Sequence, residues 1–102
     1  MDEIIVNFER NGDTLTAAPV GRLDTATSPV VEQKINAELD GVQHLVIDFT
    51  AVDYISSSGL RILLAALHTM EDRNGDVRLI HVNEYIRDVL NLVGFLEIMP
   101  VE

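Results

Sequence analysis

The sequence predicts an α/β fold in which helices pack on a mixed, mostly parallel sheet of about four or five strands. Short β-like runs alternate with helical ones along the chain. One of those runs, "HLVIDF" from His44 to Phe49, is a continuous stretch of strand length, as a central strand covered on both faces requires. The chain has 102 residues, one domain's length, and shows no internal repeat, linker or low-complexity segment, so a single domain over residues 1–102 is expected.

The elements follow in order. Ile4 to Phe8 and Leu15 to Val20 flank "RNGD", where Asn11-Gly12 predicts a type I′ hairpin because both residues tolerate positive φ. Pro19 cannot donate to a ladder, which places the second strand at an edge or ends it there. "GRLDTATSP" leads into a helix with Pro29 at its first position, Val31, Ile35 and Leu39 as its inward stripe, and Gly41 as its stop. After the strand at His44 to Phe49, a helix is expected near Ser57 to Asp72, ended by "RNG" at Arg73 to Gly75. "VRLIHV" reads as another strand, Asn83 caps a helix through about Val93, and Gly94 precedes a last short strand, "LEIM". The expected order is β-β-α-β-α-β-α-β.

Composition narrows the function. Seven Lys and Arg stand against seventeen Asp and Glu, a formal charge of −10, which argues against direct contact with nucleic acid or an anionic membrane. A protein partner with a basic face fits better. No apolar run approaches the roughly 20 residues of a membrane span. The first residues, "MDEIIVNFER", lack the basic and then apolar regions of a secretory signal. Cysteine is absent, which excludes disulfides and thiolate metal sites and is compatible with a reducing cytosol. A cytoplasmic protein is expected.

In open α/β sheets, function gathers beyond the carboxyl ends of the strands. The two loops of that kind most worth reading are "GRLDTATSP" and "DYISSSG". In the second, Ser56 or Ser57 is a competent N-cap, which accounts for one of three serines. A further hydroxyl at a helix start lies where unpaired amides and the dipole favour a bound or attached phosphate. Behind it, Leu60, Leu63, Leu64 and Leu67 form one buried face. Ile62, Ala65 and Ala66 fall outside that face, and mark either a second contact within the fold or a docking surface flanked by Arg61 and His68.

Enzyme chemistry finds little support. His44, His68 and His81 show no metal-ligand spacing, "SSSG" lacks the leading glycine of a nucleophile elbow, and no glycine-rich phosphate loop occurs. Glu71-Asp72 and Asp2-Glu3 read as solvated charge. No catalytic residue, metal or cofactor is expected.

Taken together, "VGRLDTATSPVVEQKI", "HLVIDFTAVDYISSSGLRILL" and "GDVRLIHVNEYIRDVLNLVGF" resemble the STAS domain, in particular the anti-sigma factor antagonists of bacteria. The most specific parts are Gly21-Arg22-Leu23-Asp24 and the hydrophobic-Asp-hydrophobic to Ser-Gly-Leu arrangement from Ile47 to Leu60. The resemblance implies a STAS fold and a partner switch. The antagonist binds an anti-sigma factor that is also a serine kinase and so frees a sigma factor. Phosphorylation of the serine before the glycine ends that state, and a serine phosphatase restores it. That serine is Ser58, with Ser57 as the fallback. The implied partner surface takes in Asp24, Ser56, Ser57, Ser58, Gly59, Leu60, Arg61, Ile62 and Ala65, with Asp24 close to Ser58. The family commonly has Asp where this chain has Ser56. That difference favours the alternative, a scaffold or interaction module that works without phosphorylation.

Overall fold

A computed structural model describes residues 3–102. Strands β1 (Ile5–Asn11) and β2 (Thr14–Leu23) form the expected antiparallel hairpin, in register from Ile5 opposite Val20 to Asn11 opposite Thr14. Its turn departs from the I′ expectation. Asn11 stays in the ladder, so the central residues are Gly12 and Asp13, and of these only Gly12 has positive φ, at 64°. That is the II′ pattern, which needs glycine at its first central position alone.

Pro19 neither ends β2 nor puts it at an edge. The strand runs on to Leu23 in the interior of the sheet. Thr14 to Ala17 pair in parallel with β3 (His44–Asp48), and Gly21 to Leu23 pair in parallel with β4 (Val52–Ile55). Pro19 falls between these two pairings. The Gly21 amide donates to Ala51 O on that side of the strand. The two-residue alternation turns the Pro19 nitrogen the same way, into the stretch where neither β3 nor β4 pairs, so its missing hydrogen breaks no ladder bond.

Helix α1 (Ser28–Asn36) carries Pro29 in its first turn but stops short of Leu39, so Gly41 is not its stop. Leu39 completes the buried stripe of Val31 and Ile35 from the turn that follows. In β3, Leu45, Val46 and Ile47 are all buried, as a strand covered on both faces requires. β5 (Asp76–Ile80) lies parallel on its other side, giving the order β1-β2-β3-β5 with β4 joined to the end of β2.

Helix α2 (Ser57–Asp72) occupies its expected span and ends at Arg73, where Asn74 takes φ 60°. Gly75 follows because a Cβ there would stand 2.4 Å from Gln43 O. Helix α3 (Glu84–Leu92) is capped by Asn83, whose side chain accepts the Ile86 amide at 2.8 Å. Helices α1 and α2 pack on each other and over the sheet, and α3 packs against β4.

Two elements revise the expected order to β-β-α-β-β-α-β-α. β4 has four residues and is held by the end of β2, a partner remote in sequence, so no local pattern announces it. "LEIM" is not a strand. Phe95–Glu97 forms a 3₁₀ turn, Phe95 and Met99 go into the core, and the chain meets β5 only beyond this segment, in a parallel bridge between Leu79 and Val101.

Candidate functional site

The site begins with an irregularity in β2. The register against β4 shifts between Gly21 and Arg22, with Gly21 at φ 117°, a region that residues with a Cβ rarely enter. The shift sets Leu23 beside Ile55, which brings the loops after β2 and β4 together. Leu23 O is their joint: it accepts the Ser56 amide at 2.9 Å and the Ser56 hydroxyl at 3.1 Å.

Ser56 is the N-cap of α2. Its backbone is extended and its Oγ accepts the Gly59 amide at 3.4 Å. Of the two cap candidates, the chain uses Ser56. Gly59 is buried, and a Cβ there would stand 2.7 Å from Ile55 Cγ1 and 3.0 Å from both Cβ and O of Leu23. Its lack of a side chain is what lets α2 start so close to β2.

With Ser56 committed, Ser57 and Ser58 are left over in the first turn. Ser57 is exposed and Ser58 half-buried. The Ser58 hydroxyl lies 3.5 Å from Thr25 Oγ1, across the two loops. Thr25 is thus the first-loop side chain that meets Ser58, and sequence reasoning passed it over. Its only signal there was a hydroxyl beside Asp24 in a loop of the functional edge.

Asp24 is turned to its own loop. Its carboxylate accepts the Ala26 and Thr27 amides at 3.0 Å each and the Thr27 hydroxyl at 3.1 Å, with Arg22 Nε at 3.7 Å. The Thr27 amide foremost, then the Thr27 hydroxyl, the Ala26 amide and the Arg22 charge, outweigh slight burial and hold the Asp24 carboxyl below its ordinary range. Asp24 therefore braces the approach to α1. The helix itself has Thr27 as N-cap with no side-chain cap bond.

The outer face of α2 is narrower than the sequence suggested. Ile62 is buried, and with Ala65 and Ala66 it lines the seam against Val31 and Ile35 of α1. For Ile62, the second contact within the fold is the answer, and it offers no docking surface. Ser57, Arg61 and His68 are exposed, and Leu60, Leu64 and Ala65 are half-buried. Ser57, Arg61 and His68 recur at helical spacing and form one outward stripe, while Leu60 and Leu64, expected to be buried with Leu63 and Leu67, lie at the margin of that face and only partly pack on the core. Beside the site, the Arg22 guanidinium lies 4.0 Å from the Tyr54 ring centroid, a cation–π contact.

A second polar cluster sits at the carboxyl ends of β3 and β5. His81, expected within a strand, lies just past β5 at φ 57°. Its Nδ1 is 3.0 Å from both Asp48 Oδ1 and Thr50 Oγ1. Burial pushes the Asp48 carboxyl up, but the Thr50 hydroxyl and amide and His81 together outweigh it and hold the group below its ordinary range. Among the described residues no group of three or more His, Cys, Asp or Glu could hold a metal, and no helix is long and apolar enough to cross a membrane.

Comparison with known proteins gives this geometry a context. A family model for the STAS domain matches residues 6–102. BtrV of Bordetella bronchiseptica, whose name assigns it a provisional role as an anti-sigma factor antagonist, is 33% identical over 88 residues, 85% of this chain and 76% of its own. The crystal structure of an anti-sigma factor antagonist from Mycobacterium paratuberculosis superposes with a TM-score of 0.85 at 28% identity, covering 97% of this chain and 85% of that one. The Bacillus cell fate determinant SpoIIAA, in its phosphorylated form, shares the fold with a TM-score of 0.74 at 20% identity over 96% of this chain and 91% of its own.

Proposed function

The chain belongs to the STAS domain family, and with relatives named as antagonists of other proteins it is a binding domain rather than an enzyme; within that family we propose that it is an anti-sigma factor antagonist switched by phosphorylation of Ser58. It acts in the cytoplasm as a single STAS domain. Its partner is an anti-sigma factor that is also a serine kinase, whose capture frees a sigma factor. The contact surface is the loop after β2, with Asp24 and Thr25, together with Ser57, Ser58, Leu60, Arg61 and Ala65 of α2. Ser56, Gly59 and Ile62 support that surface from beneath.

The observation that carries this reading is the spare hydroxyl. Ser56 alone caps α2 and joins the loops, so Ser58 is free to be modified without undoing either. A phosphate adds about −1.5 to −2 charge and a bulky, strongly hydrated group at the start of a helix, which spoils a contact fitted to a bare hydroxyl without straining the fold. A serine phosphatase resets the switch. The phosphorylated form of SpoIIAA supports this reading by fold likeness.

The second reading, a constitutive module, draws on Ser56 standing where the family resemblance implies Asp. Both residue types are good N-caps, so the exchange leaves the helix start intact and counts little against the switch. Protein from its native cells is expected to carry a phosphate-sized mass increment at Ser58. Ser58→Asp should bind its anti-sigma factor at least about tenfold more weakly, ~1.4 kcal/mol, since a carboxylate set into a contact fitted to a hydroxyl loses its water without gaining a matched partner, while Ser58→Ala should bind normally and stay unmodified. Phosphate on Ser57 would move the acceptor by one residue. An unmodified chain with Ser58→Asp binding at full strength would leave the constitutive module.

A further inference from the structure

We propose that Thr25 is the receiving group for a phosphate on Ser58: its hydroxyl donates to the phosphoryl oxygens and ties the loop after β2 to the start of α2 in the modified state. This rests on the reading of Ser58 as the acceptor.

The two hydroxyls belong to residues 33 apart in sequence, and the contact exists because Leu23 and Ser56 lock the loops together at their base. At 3.5 Å the separation is long for a hydroxyl pair, whose usual spacing is about 2.7–2.8 Å. In the unmodified chain the bridge is therefore loose. A phosphoryl group sets its terminal oxygens two P–O bonds beyond Oγ, which brings them within reach of Thr25 across that gap.

Donor chemistry singles out Thr25 within its loop. Asp24, ionised, can only accept, and its Oδ1 already takes both the Ala26 and Thr27 amides. The Thr27 hydroxyl donates to Arg22 O and receives the Asp24 amide at 2.9 Å. Ser28 is fully buried. Thr25 is exposed, and among the described residues its hydroxyl bonds Ser58 alone. Its hydroxyl is free to turn its hydrogen toward an anion.

The test needs neither kinase nor partner. Phosphoserine is installed at position 58 by genetic encoding, and its second ionisation is followed by 31P NMR in three chains: otherwise native, Thr25→Val and Thr25→Ser. A hydrogen bond to the dianion holds that pKa down, so Thr25→Val should raise it by about half a unit and Thr25→Ser should restore it. Identical titrations for native and Thr25→Val chains would overturn the proposal, as would a rise that Thr25→Ser fails to reverse. The same proteins tested for partner binding keep the two readings apart. Full affinity with phosphoserine in place would sink the switch and leave the Thr25 result standing, whereas unchanged titrations with lost affinity would do the reverse.

Discussion

The helix starts that follow β2 and β4 use their polar side chains in opposite ways. At α1, Asp24 and Thr27 bond each other, nearby amides and Arg22 O, and Ser28 Oγ is buried with no hydrogen-bond partner among the described residues. Its cap position, Thr27, is already helical and supplies no cap bond. At α2, a single side chain, Ser56, both caps the helix and grips Leu23 O, while Ser57 and Ser58 remain uncommitted. A run of hydroxyls does not by itself mark a site. What marks it is a hydroxyl left over once the fold's own demand for acceptors and donors has been met.

The change that breaks this contrast most forcefully is Gly59→Ala. The added methyl meets Ile55 and Leu23 at 2.7–3.0 Å, and one of those contacts is with backbone that cannot swing aside. Overpacking of this kind is expected to cost roughly 1–3 kcal/mol, read as a lower urea midpoint at unchanged slope. A neutral result would mean that α2 can slide along β2, and the link between the two loops would no longer be fixed by steric fit.

Next in size comes the division of labour among the serines. Ser56→Ala removes the cap bond and the bond to Leu23 O, and should lower unfolding free energy by about 1–2 kcal/mol. Ser58→Ala removes one long contact at a partly exposed position and should change it by less than about 0.5 kcal/mol. Equal losses in the two variants would erase the distinction between committed and spare hydroxyls.

The features legible in the sequence were those that a few neighbouring residues determine. Asn83 before α3, the serines before α2 and the "RNG" stop after it are local signals, and each stands where its chemistry predicts. The misreadings share a different cause. Pro19 was expected at an edge because the gap between the β3 and β4 pairings is a property of three strands. β4 itself is too short to announce its pairing with Gly21 to Leu23. The sequence leaves Ile62 open between a second contact within the fold and a docking surface, because α2 buries two sides, one on the sheet and one on α1, and one helical stripe accounts for only the first. Thr25 went unnoticed because its contact with Ser58 depends on the meeting of two loops.

The smallest effect separates the two helix starts by their response to acid. Asp24 has its carboxyl held below the ordinary value of 3.8, so its contribution to stability is complete above that value and fades as pH falls through the lower folded value. Asp24→Asn keeps an oxygen for the Ala26 and Thr27 amides and loses only the charge. Its melting temperature should therefore trail the native chain by a constant few degrees at most from pH 7 to about 5, and the difference should close below about pH 4. Taking the difference between the two chains cancels the other carboxylates they share. Ser56 carries no group that titrates in this range, so the Ser56→Ala deficit should stay level across the same span. If both deficits ran flat, hydrogen-bond geometry alone would hold the loop before α1, and the charge on Asp24 would be free to act on a partner. If both closed in acid, the Ser56 joint would depend on the ionised Asp24, and the two helix starts would be one coupled unit.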